Sequence, residues 1–220
     1  MKILDRKLLA ALAGLMATLV IFAIWPDIDM KVARAFYGDE GFIGGGAFAK
    51  AARDFFRITP YALLILACLA WALRKLGAPI PFAPSGRAAL FLLLTMAVGP
   101  GLIVNAALKE HAHRPRPVHV TEFGGPDAFK AWDEFDGRCK ANCSFASGEA
   151  AQGFWMIAPA LLAPPAWRAA ALVGAMAFGI GASALRMAFG GHFLSDVLVG
   201  GLISLIVILI AHQLIWRRLD

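Results

Sequence analysis

Charged residues are scarce in this sequence. Only 16% of its 220 residues are Asp, Glu, Lys or Arg, whereas 60% are hydrophobic, and the mean hydropathy is +0.68. The apolar residues form long blocks, and a helix that crosses a hydrocarbon core about 30 Å thick needs about 20 of them. This composition excludes an ordinary soluble domain and predicts an all-α integral membrane protein, with residues 1–220 forming one domain.

Six apolar blocks are candidates for membrane-spanning helices. They are Leu8–Trp25, Thr59–Leu73, Ala88–Leu108, Ala150–Ala163, Ala169–Phe189 and Phe193–Trp216. We expect the second and the fourth, which are short, to gain a turn from their flanks. The first block follows basic residues but lacks a small-x-small cleavage site, so it is interpreted as a retained helix and not as a secretory signal.

Internal repeats and low-complexity tracts are also lacking, but two long loops interrupt the apolar blocks. Residues 26–58 have apolar residues at helical spacing in "MKVARAFYG" and "AFAKAARDFFRI". This predicts short helices in the membrane interface that cover helix ends or guide a lipid substrate. Residues 109–146 are rich in Pro, Gly and polar groups and contain His111, His113 and His119. Loops held by a rigid scaffold often carry function, so this loop is a candidate for the site.

Acidic residues are missing from the short loops "RKLGAPIPFAPSGR" and "PPAWR", which carry only basic charge. Short loops have most weight in the positive-inside rule, so we expect these loops and both termini to be cytoplasmic. Contact with anionic lipid headgroups explains the net charge of +6. No nucleic-acid-binding module accompanies that charge, so the expected partners are the bilayer and a lipid.

Cysteine is nearly absent, with three residues in the chain. Cys68 lies within an apolar block, where we expect it to pack. Cys139 and Cys143 share the second long loop, and on the outer face of the membrane they could form a disulfide. A zinc site with the loop histidines is the alternative, but a second cysteine pair and the usual finger spacing are missing.

The stretch "KEHAHRPRP" places two cations at the end of the third apolar block. Lys109 ends the block, and a cation there is often explained by the helix dipole or by lipid phosphates. Arg116 is different, because Pro115 and Pro117 on either side prevent the helix from continuing and stiffen the chain.

The stretch "CSFASGEA" stands at the start of the fourth block. Ser147 and Gly148 leave free backbone N–H groups at a helix start, which is a ready site for an anion. An ordinary N-cap is the alternative, in which Ser147 caps the first turn and the helix dipole favours Glu149.

The stretch "LRMAFGGHFLSD" lies between the fifth and sixth blocks. His192 and Asp196 are four residues apart, so the carboxylate can hold one imidazole nitrogen and leave the other as a free lone pair. A purely structural pair is the alternative. With six helices, these residues, Arg186 and the two earlier clusters fall on one face of the membrane. Phosphoryl transfer needs positioning and neutralisation of charge, which arginines provide through bidentate contacts.

The pattern K-x6-R-P, S-G and R-x5-H-x3-D, in that order, resembles the type 2 phosphatidic acid phosphatases and their vanadium haloperoxidase relatives, the PAP2 superfamily. The motifs cover residues 109–196. The resemblance implies that His192 attacks phosphorus and forms a phosphohistidine while Asp196 holds its ring, with no metal or other cofactor. It also implies a set of residues that bind the phosphoryl oxygens: Lys109, Arg116, Ser147, Gly148 and Arg186.

The sequence departs from the family pattern at two positions. Leu185 replaces the usual Ser, and Glu149 replaces the histidine that normally protonates the leaving oxygen. We expect Glu149 to be the general acid instead, which requires a raised pKa. Burial and the nearby Asp196 would raise the pKa of Glu149, while the cations would lower it. Otherwise Glu149 positions another acid, such as one of the loop histidines.

The segment "EFGG…CKANCSFASGEA" resembles bacterial family members that act on lipid A phosphates. This implies an inner-membrane phosphatase with its site on the periplasmic face and lipid A phosphate as the leading substrate. Phosphatidylglycerophosphate and undecaprenyl pyrophosphate come next. A phosphotransferase that passes the phosphoryl group to another lipid and an inactive phospholipid-binding protein are alternatives. A transporter is disfavoured, because no charged residue lies in the middle of a block. Oligomeric state is not predicted.

Overall fold

A computed structural model describes residues 5–216 of the chain. Its α-helices are α1 (Arg6–Ile24), α2 (Asp27–Ala35), α3 (Ala47–Lys75), α4 (Gly86–Met96), α5 (Lys109–His111), α6 (Gly148–Trp155), α7 (Ile157–Leu161), α8 (Pro165–Ala188) and α9 (Leu194–Trp216). A π-helical segment, Ala97–Leu108, joins α4 to α5, and single 3-10 turns occur at Ile43–Gly45, Pro117–His119 and Thr121–Phe123. Strands β1 (Tyr37–Gly38) and β2 (Gly41–Phe42) form a small antiparallel hairpin.

Within residues 5–216, five helices are long and apolar enough to cross a membrane. They are Arg6–Ile24, Ala47–Lys75, Gly86–His111, Pro165–Ala188 and Leu194–Trp216. The prediction of a mostly helical, multi-pass membrane protein is therefore confirmed. The fourth predicted span, Ala150–Ala163, instead forms the short helices α6 and α7. The break between them falls at Met156, because Pro159 has no N–H to bond the Trp155 carbonyl and its ring clashes with that carbonyl.

The first long loop also differs from the prediction. The stretch "AFAKAARDFFRI" is not a separate helix, because α3 runs without interruption for 29 residues from Ala47 to Lys75, through Pro60. The helical spacing of apolar residues in this stretch therefore continues without a break into the second predicted span. The stretch around "MKVARAFYG" does contain the short helix α2. The position of α2 in the membrane interface stays a prediction.

Helix α6 lies at the centre of the fold and packs against α8, α9 and α3. Trp155 is fully buried beside Phe91 and Ile208, and its indole N–H donates to the Thr95 hydroxyl over 2.9 Å. On the side towards α8, a Cβ on Gly153 would lie 3.2 Å from the Cα of Gly179. The close approach of these helices fixes the start of α6 in the middle of the bundle.

The helix that contains α4 and α5 is wide in its second half, over Ala97–Leu108. Pro100 lies inside this segment and cannot donate a backbone hydrogen bond, which explains why the regular α-helical ladder is lost there. The side-chain amide of Asn105 donates to the Pro100 carbonyl over 2.8 Å. Asn105 is thereby fixed one turn before Lys109, at the end of the helix where the polar loop begins.

Candidate active site

Backbone hydrogen bonds tie the three motif clusters to one another. The Cys143 amide donates to the Lys109 carbonyl over 3.4 Å, and the Ser147 amide donates to the Asp196 carbonyl over 3.0 Å. Gly200 permits the second contact, since a Cβ there would lie 2.5 Å from the Ser147 carbonyl oxygen. The loop after α5, the start of α6 and the start of α9 therefore meet at one place.

His192 is buried at this junction, with 2% of its surface exposed. Its Nδ1 lies 2.7 Å from the Ser144 carbonyl oxygen and 3.7 Å from Oδ2 of Asp196. Because a carbonyl can only accept, Nδ1 carries the hydrogen and Nε2 keeps a free lone pair. The direct hydrogen-bond partner is thus the Ser144 carbonyl, with Asp196 just behind it.

The charge state of His192 follows from its surroundings. The pKa of His192 is lowered to about 4, mainly by burial; Asp196 acts in the opposite direction, and the charges of Arg186 and Arg116 contribute to the lowering. The imidazole is therefore neutral at pH 7 and available as a nucleophile.

Asp196 belongs to a buried ion-pair network that we call the nucleophile frame: Asp29, Arg114, Ser144, Ser195 and Asp196. Arg114 donates to Asp196 over 2.5 Å and to Asp29 over 2.8 Å, and neither Arg114 nor Asp196 is exposed. Ser144 donates its hydroxyl to the second oxygen of Asp196 over 2.5 Å. Every oxygen of this carboxylate is thus held by a neighbour.

The frame also reaches helix α2. Asp29, which is 1% exposed, accepts from the Ser195 amide over 2.8 Å, and Ser195 accepts from Arg114. The Arg114 guanidinium lies 4.4 Å from the centre of the Phe193 ring. A helix from the first long loop is thereby anchored directly to the start of α9.

Glu149 lies on the other side of the site, where it meets two arginines. Arg53, from α3, donates to Glu149 through both Nε and Nη2, the shorter contact being 2.6 Å. Nε of Arg186 is 3.5 Å from Glu149. Burial raises the pKa of Glu149, but the hydrogen bond from Arg53 and the charge of Arg186 outweigh it and hold the pKa below its ordinary value. The expected raised pKa is therefore not found in the unliganded protein, and Glu149 is ionised at neutral pH.

The loop histidines are engaged elsewhere. Nδ1 of His111 contacts the carbonyl of Ala107 in its own helix, and Nδ1 of His113 contacts the carbonyl of Cys139. His119 is exposed. Among residues 5–216, no hydrogen bond joins any of them to Glu149, so nothing in the geometry supports the idea that Glu149 positions one of them.

The three motif cations approach the site from different elements. Lys109 donates to the Asn105 side chain over 3.2 Å, and Arg116 donates twice to the Asn142 carbonyl. Arg186 is buried against Gly191, where a Cβ would lie 2.2 Å from a terminal guanidinium nitrogen. A glycine is thus required at position 191, directly before His192, to leave room for the Arg186 side chain.

Ser147 and Gly148 start helix α6. The Ser147 hydroxyl accepts from the Ala150 amide over 3.3 Å, as an N-cap does. The Gly148 amide, at the first helical position, has no acceptor within the helix. A Cβ on Gly148 would lie 2.3 Å from Oδ1 of Asn105, so only glycine fits between Asn105 and the helix start. The capping role of Ser147 and a free amide donor at Gly148 coexist.

Cys139 and Cys143 form a disulfide in the structure, with their Cα atoms 5.7 Å apart. The bridge leaves neither sulfur as a thiolate ligand for zinc. Within the part of the chain that the structure describes, no group of three or more His, Cys, Asp or Glu side chains is arranged around a common point for a metal. The disulfide encloses Asn142, whose carbonyl holds Arg116.

A pocket of about 440 Å³ opens beside Lys109 and Glu149. It is lined by Arg57, Ile58, Tyr61, Asn105, Lys109, Gly148, Glu149 and Gln152. A second, mainly apolar groove of about 620 Å³ runs along α3 and α7, and Ile58 lines both. The charged site is therefore flanked by a polar pocket, and next to it by a surface suited to an acyl chain.

Among the residues that shape this geometry, several were not singled out from the sequence: Asp29, Arg53, Arg114, Ser144 and Ser195. Arg114 stands in "KEHAHRPRP" two residues before Arg116, so an arginine between loop histidines and prolines was a visible signal. Asp29 and Arg53 lie 85 and 96 residues from Arg114 and Glu149, and no local pattern marks them.

A helical membrane protein with a neutral, buried histidine among several cations is equipped to transfer a phosphoryl group. The sequence profile of the PAP2 superfamily matches residues 88–220, and the chain belongs to this superfamily. It is 33% identical to a lipid A 4'-phosphatase of Francisella tularensis subsp. novicida (strain U112), over 90% of this chain and 91% of the relative.

Two further relatives give a similar result. The chain is 36% identical to a lipid A 4'-phosphatase of Rhizobium leguminosarum, over 87% of this chain and 88% of the relative. It is 35% identical to a lipid A 4'-phosphatase of Rhizobium etli, over 87% of this chain and 80% of the relative. No solved structure gives a significant match. The family and the relatives identify the chain as a lipid phosphatase of the PAP2 type, a phosphoric monoester hydrolase.

Proposed function

We propose that this protein removes the 4'-phosphate monoester from lipid A, or from a close precursor of it, through a phosphohistidine intermediate. The observation that carries the proposal is the similarity, over 87–90% of the chain, to three proteins that are all named lipid A 4'-phosphatase. The site supports the chemistry, because it combines an unprotonated imidazole with a cluster of cations.

His192 acts as the nucleophile in this mechanism. Its Nε2 lone pair attacks phosphorus, a P–N bond forms, and the bond from phosphorus to the sugar oxygen breaks. The Ser144 carbonyl keeps the proton on Nδ1, and Asp196, 3.7 Å away, stabilises the positive charge that develops on the ring. Water then attacks the phosphohistidine, which releases phosphate and regenerates the imidazole.

The phosphoryl oxygens are held by cations and a backbone amide: Lys109, Arg116, Arg186 and Gly148, with Ser147 keeping the helix start in place. Positioning and charge neutralisation are the main demands of phosphoryl transfer. Guanidinium groups meet both demands by bidentate contacts, so the proposed reaction needs no metal ion or other cofactor.

Glu149 is proposed as the general acid, in spite of its ionised state in the unliganded protein. A bound phosphate dianion competes for Arg186 and adds negative charge beside Glu149. Both effects raise the pKa of Glu149, because like charge nearby disfavours the ionised form. Glu149 can then take up a proton as substrate binds and donate it to the leaving oxygen.

The proposed location is the bacterial inner membrane, with both termini cytoplasmic and the site on the periplasmic face. The short connections from α3 to α4 and from α7 to α8 contain no acids and are flanked by basic residues at the adjoining helix ends, Arg74, Lys75 and Arg87 at the first and Arg168 at the second, as is typical of the cytoplasmic side. The site lies where α5 ends and α9 begins. The helix α4–α5 leads from the first short loop to the site, and α8 leads from the second, so the site is at the opposite ends of these helices. The α6–α7 pair supplies the remaining crossing in this topology.

The test is phosphate release in detergent with EDTA from four lipids: lipid A with a 4'-phosphate, phosphatidylglycerophosphate, phosphatidic acid and undecaprenyl pyrophosphate. We expect fastest release from lipid A, and a loss of about 10³-fold or more in His192→Ala, because the nucleophile is removed. Dephosphorylated lipid A without free phosphate would indicate a phosphotransferase. No turnover of any lipid, with lipid A still bound, would indicate an inactive binding protein.

A further inference from the structure

We infer that the 440 Å³ pocket receives the group to which the phosphate is esterified, and that Gln152 selects a leaving group with hydroxyl or amide N–H donors, such as an acylated amino sugar. This inference rests on the proposed function and concerns its specificity. Gln152 is thus assigned as a specificity-determining residue, separate from those that hold the phosphate.

The place of the pocket supports this assignment. Three of its lining residues, Lys109, Gly148 and Glu149, belong to the motif clusters. Gln152 follows Glu149 by three positions, so both lie on one face of α6, about one turn apart. A leaving oxygen that takes its proton from Glu149 therefore has the next atoms of the leaving group beside Gln152.

The hydrogen bonding of Gln152 indicates what the pocket lacks. The side chain is 6% exposed, and its Nε2 donates to the Tyr61 hydroxyl, whereas its Oε1 is buried without a partner. A buried acceptor without a partner is unfavourable. A ligand that brings an O–H or N–H group to this oxygen supplies the missing hydrogen bond, whereas a ligand with only acceptors does not.

The other polar side chains of the pocket are already engaged. Asn105 donates to the Pro100 carbonyl and accepts from Lys109, and Arg57 is paired with Asp54 at 2.9 Å. Among the pocket residues that the structure describes, Gln152 is the one with a buried hydrogen-bonding atom left over.

This requirement separates classes of lipid phosphate by their chemistry. In a diacylglycerol phosphate, the groups nearest the phosphate are ester oxygens, which only accept hydrogen bonds. A polyprenyl phosphate has hydrocarbon there. An acylated amino sugar has hydroxyl and amide N–H donors on the same sugar unit as the phosphorylated carbon. An acyl chain on the same ring can enter the apolar groove that shares Ile58 with the pocket.

The experiment compares Gln152→Met, which keeps the shape of the side chain and removes the amide, with wild type in detergent. Two quantities are measured: kcat/KM on lipid A with a 4'-phosphate, and inhibition by inorganic phosphate, which probes the phosphate site alone. We expect kcat/KM to fall about tenfold to hundredfold, mainly through KM, because one buried hydrogen bond is lost. Phosphate inhibition should change by less than about twofold, since the phosphate ligands are untouched.

Two further variants sharpen the test. Tyr61→Phe removes the hydroxyl that anchors the Gln152 amide, and it should weaken lipid A turnover in the same sense but less. Gln213→Met is the matched control, because Gln213 lies on α9 about 25 Å along the helix from Asp196 and should leave both readouts unchanged.

The outcomes distinguish this inference from the proposed function. Wild-type enzyme that does not act on lipid A would overturn the proposed function and the inference together. Wild-type enzyme that acts on lipid A, with kcat/KM unchanged in Gln152→Met, would overturn the inference alone. An equal loss in lipid A turnover and in phosphate inhibition would assign Gln152 to packing and would also overturn it.

Discussion

The two sides of the His192 site are built in opposite ways. The nucleophile frame is closed to solvent, with the side chains of Asp29, Arg114 and Asp196 at most 1% exposed. The other side is formed by Arg53 and Glu149, which we call the leaving-group pair, and their side chains are 34% and 19% exposed. The frame is fully paired before substrate arrives, whereas Glu149 shares its charge between Arg53 and Arg186.

The difference follows from what each side must do. The orientation of the nucleophile should not change during the reaction, and a buried, saturated network enforces a single arrangement. The proton donor must change its charge state, so it needs partners from which it can be released. We expect changes to the frame to act on both folding and activity, and changes to the leaving-group pair to act mainly on activity.

The largest effect is expected for Arg114→Met. The variant leaves Asp29 and Asp196 as buried carboxylates without a counter-charge, which should lower the free energy of unfolding by about 3–5 kcal/mol. Activity should fall with it, since Asp196 is no longer held. Thermal unfolding in detergent and phosphate release measure the two losses. Arg114→Lys should recover only part of either, because an ammonium cannot bridge two carboxylates as the guanidinium fork does. Full stability in Arg114→Met would contradict the role of the frame.

Glu149→Gln is expected to have the next largest effect, and mainly on turnover. Removing a general acid should lower kcat by about 10²-fold or more, because proton donation typically contributes that much. The loss should be confined to kcat, with thermal unfolding near that of wild type at neutral pH, since the Arg53–Glu149 pair is partly exposed and contributes about 1 kcal/mol or less. Unchanged kcat would remove Glu149 from the proton transfer.

The pH dependence of this pair adds a separate check. The pKa of Glu149 lies below its ordinary value in the unliganded protein, so its contribution to stability is present at neutral pH and is lost as the pH falls through that lowered pKa. Glu149→Gln should therefore be less sensitive to acid than wild type. In wild type, kcat reports the substrate complex and kcat/KM the free enzyme. The apparent pKa of the acid should accordingly be higher in the kcat profile.

The same contrast explains what could be predicted from the sequence. Lys109, His192 and the other motif residues stand in short stretches with fixed spacing, and the order of these stretches predicted that they lie together. The helices that carry them follow from apolar blocks. The break at Met156 had a signal in Pro159, but composition alone treated the block as one helix.

The partners of the motif residues could not be predicted in the same way. Arg53 reverses the expected pKa shift of Glu149, and it belongs to α3, 96 residues earlier in the chain. Asp29 completes the frame from α2, 85 residues before Arg114. Such contacts depend on how helices pack, and no periodicity within either segment encodes the partner.

Arg53→Gln should have a smaller effect than Glu149→Gln, because it changes the surroundings of the proposed acid without removing it. The pKa of Glu149 should rise, since its strongest hydrogen-bonding cation is gone. We expect kcat/KM to change by about tenfold at neutral pH, with the pH optimum displaced upwards. Lys50→Gln, an exposed cation one turn earlier on α3, is the control and should match wild type. An optimum that does not move would show that Arg53 does not set the protonation of Glu149.

The smallest effect is expected for the double variant Cys139→Ala, Cys143→Ala. The bridge closes a loop of only a few residues, so its loss should lower the free energy of unfolding by about 2 kcal/mol at most. Loss of the bridge should affect the active site through Asn142, whose carbonyl accepts two hydrogen bonds from Arg116. Loosening this carbonyl should raise KM a few-fold and leave kcat nearly unchanged, since no residue from Cys139 to Cys143 belongs to the frame or to the leaving-group pair. Reduction of wild type with dithiothreitol should reproduce the change. A loss of kcat instead would place the loop among the elements that orient His192, and would end the division of the site into one rigid and one adjustable side.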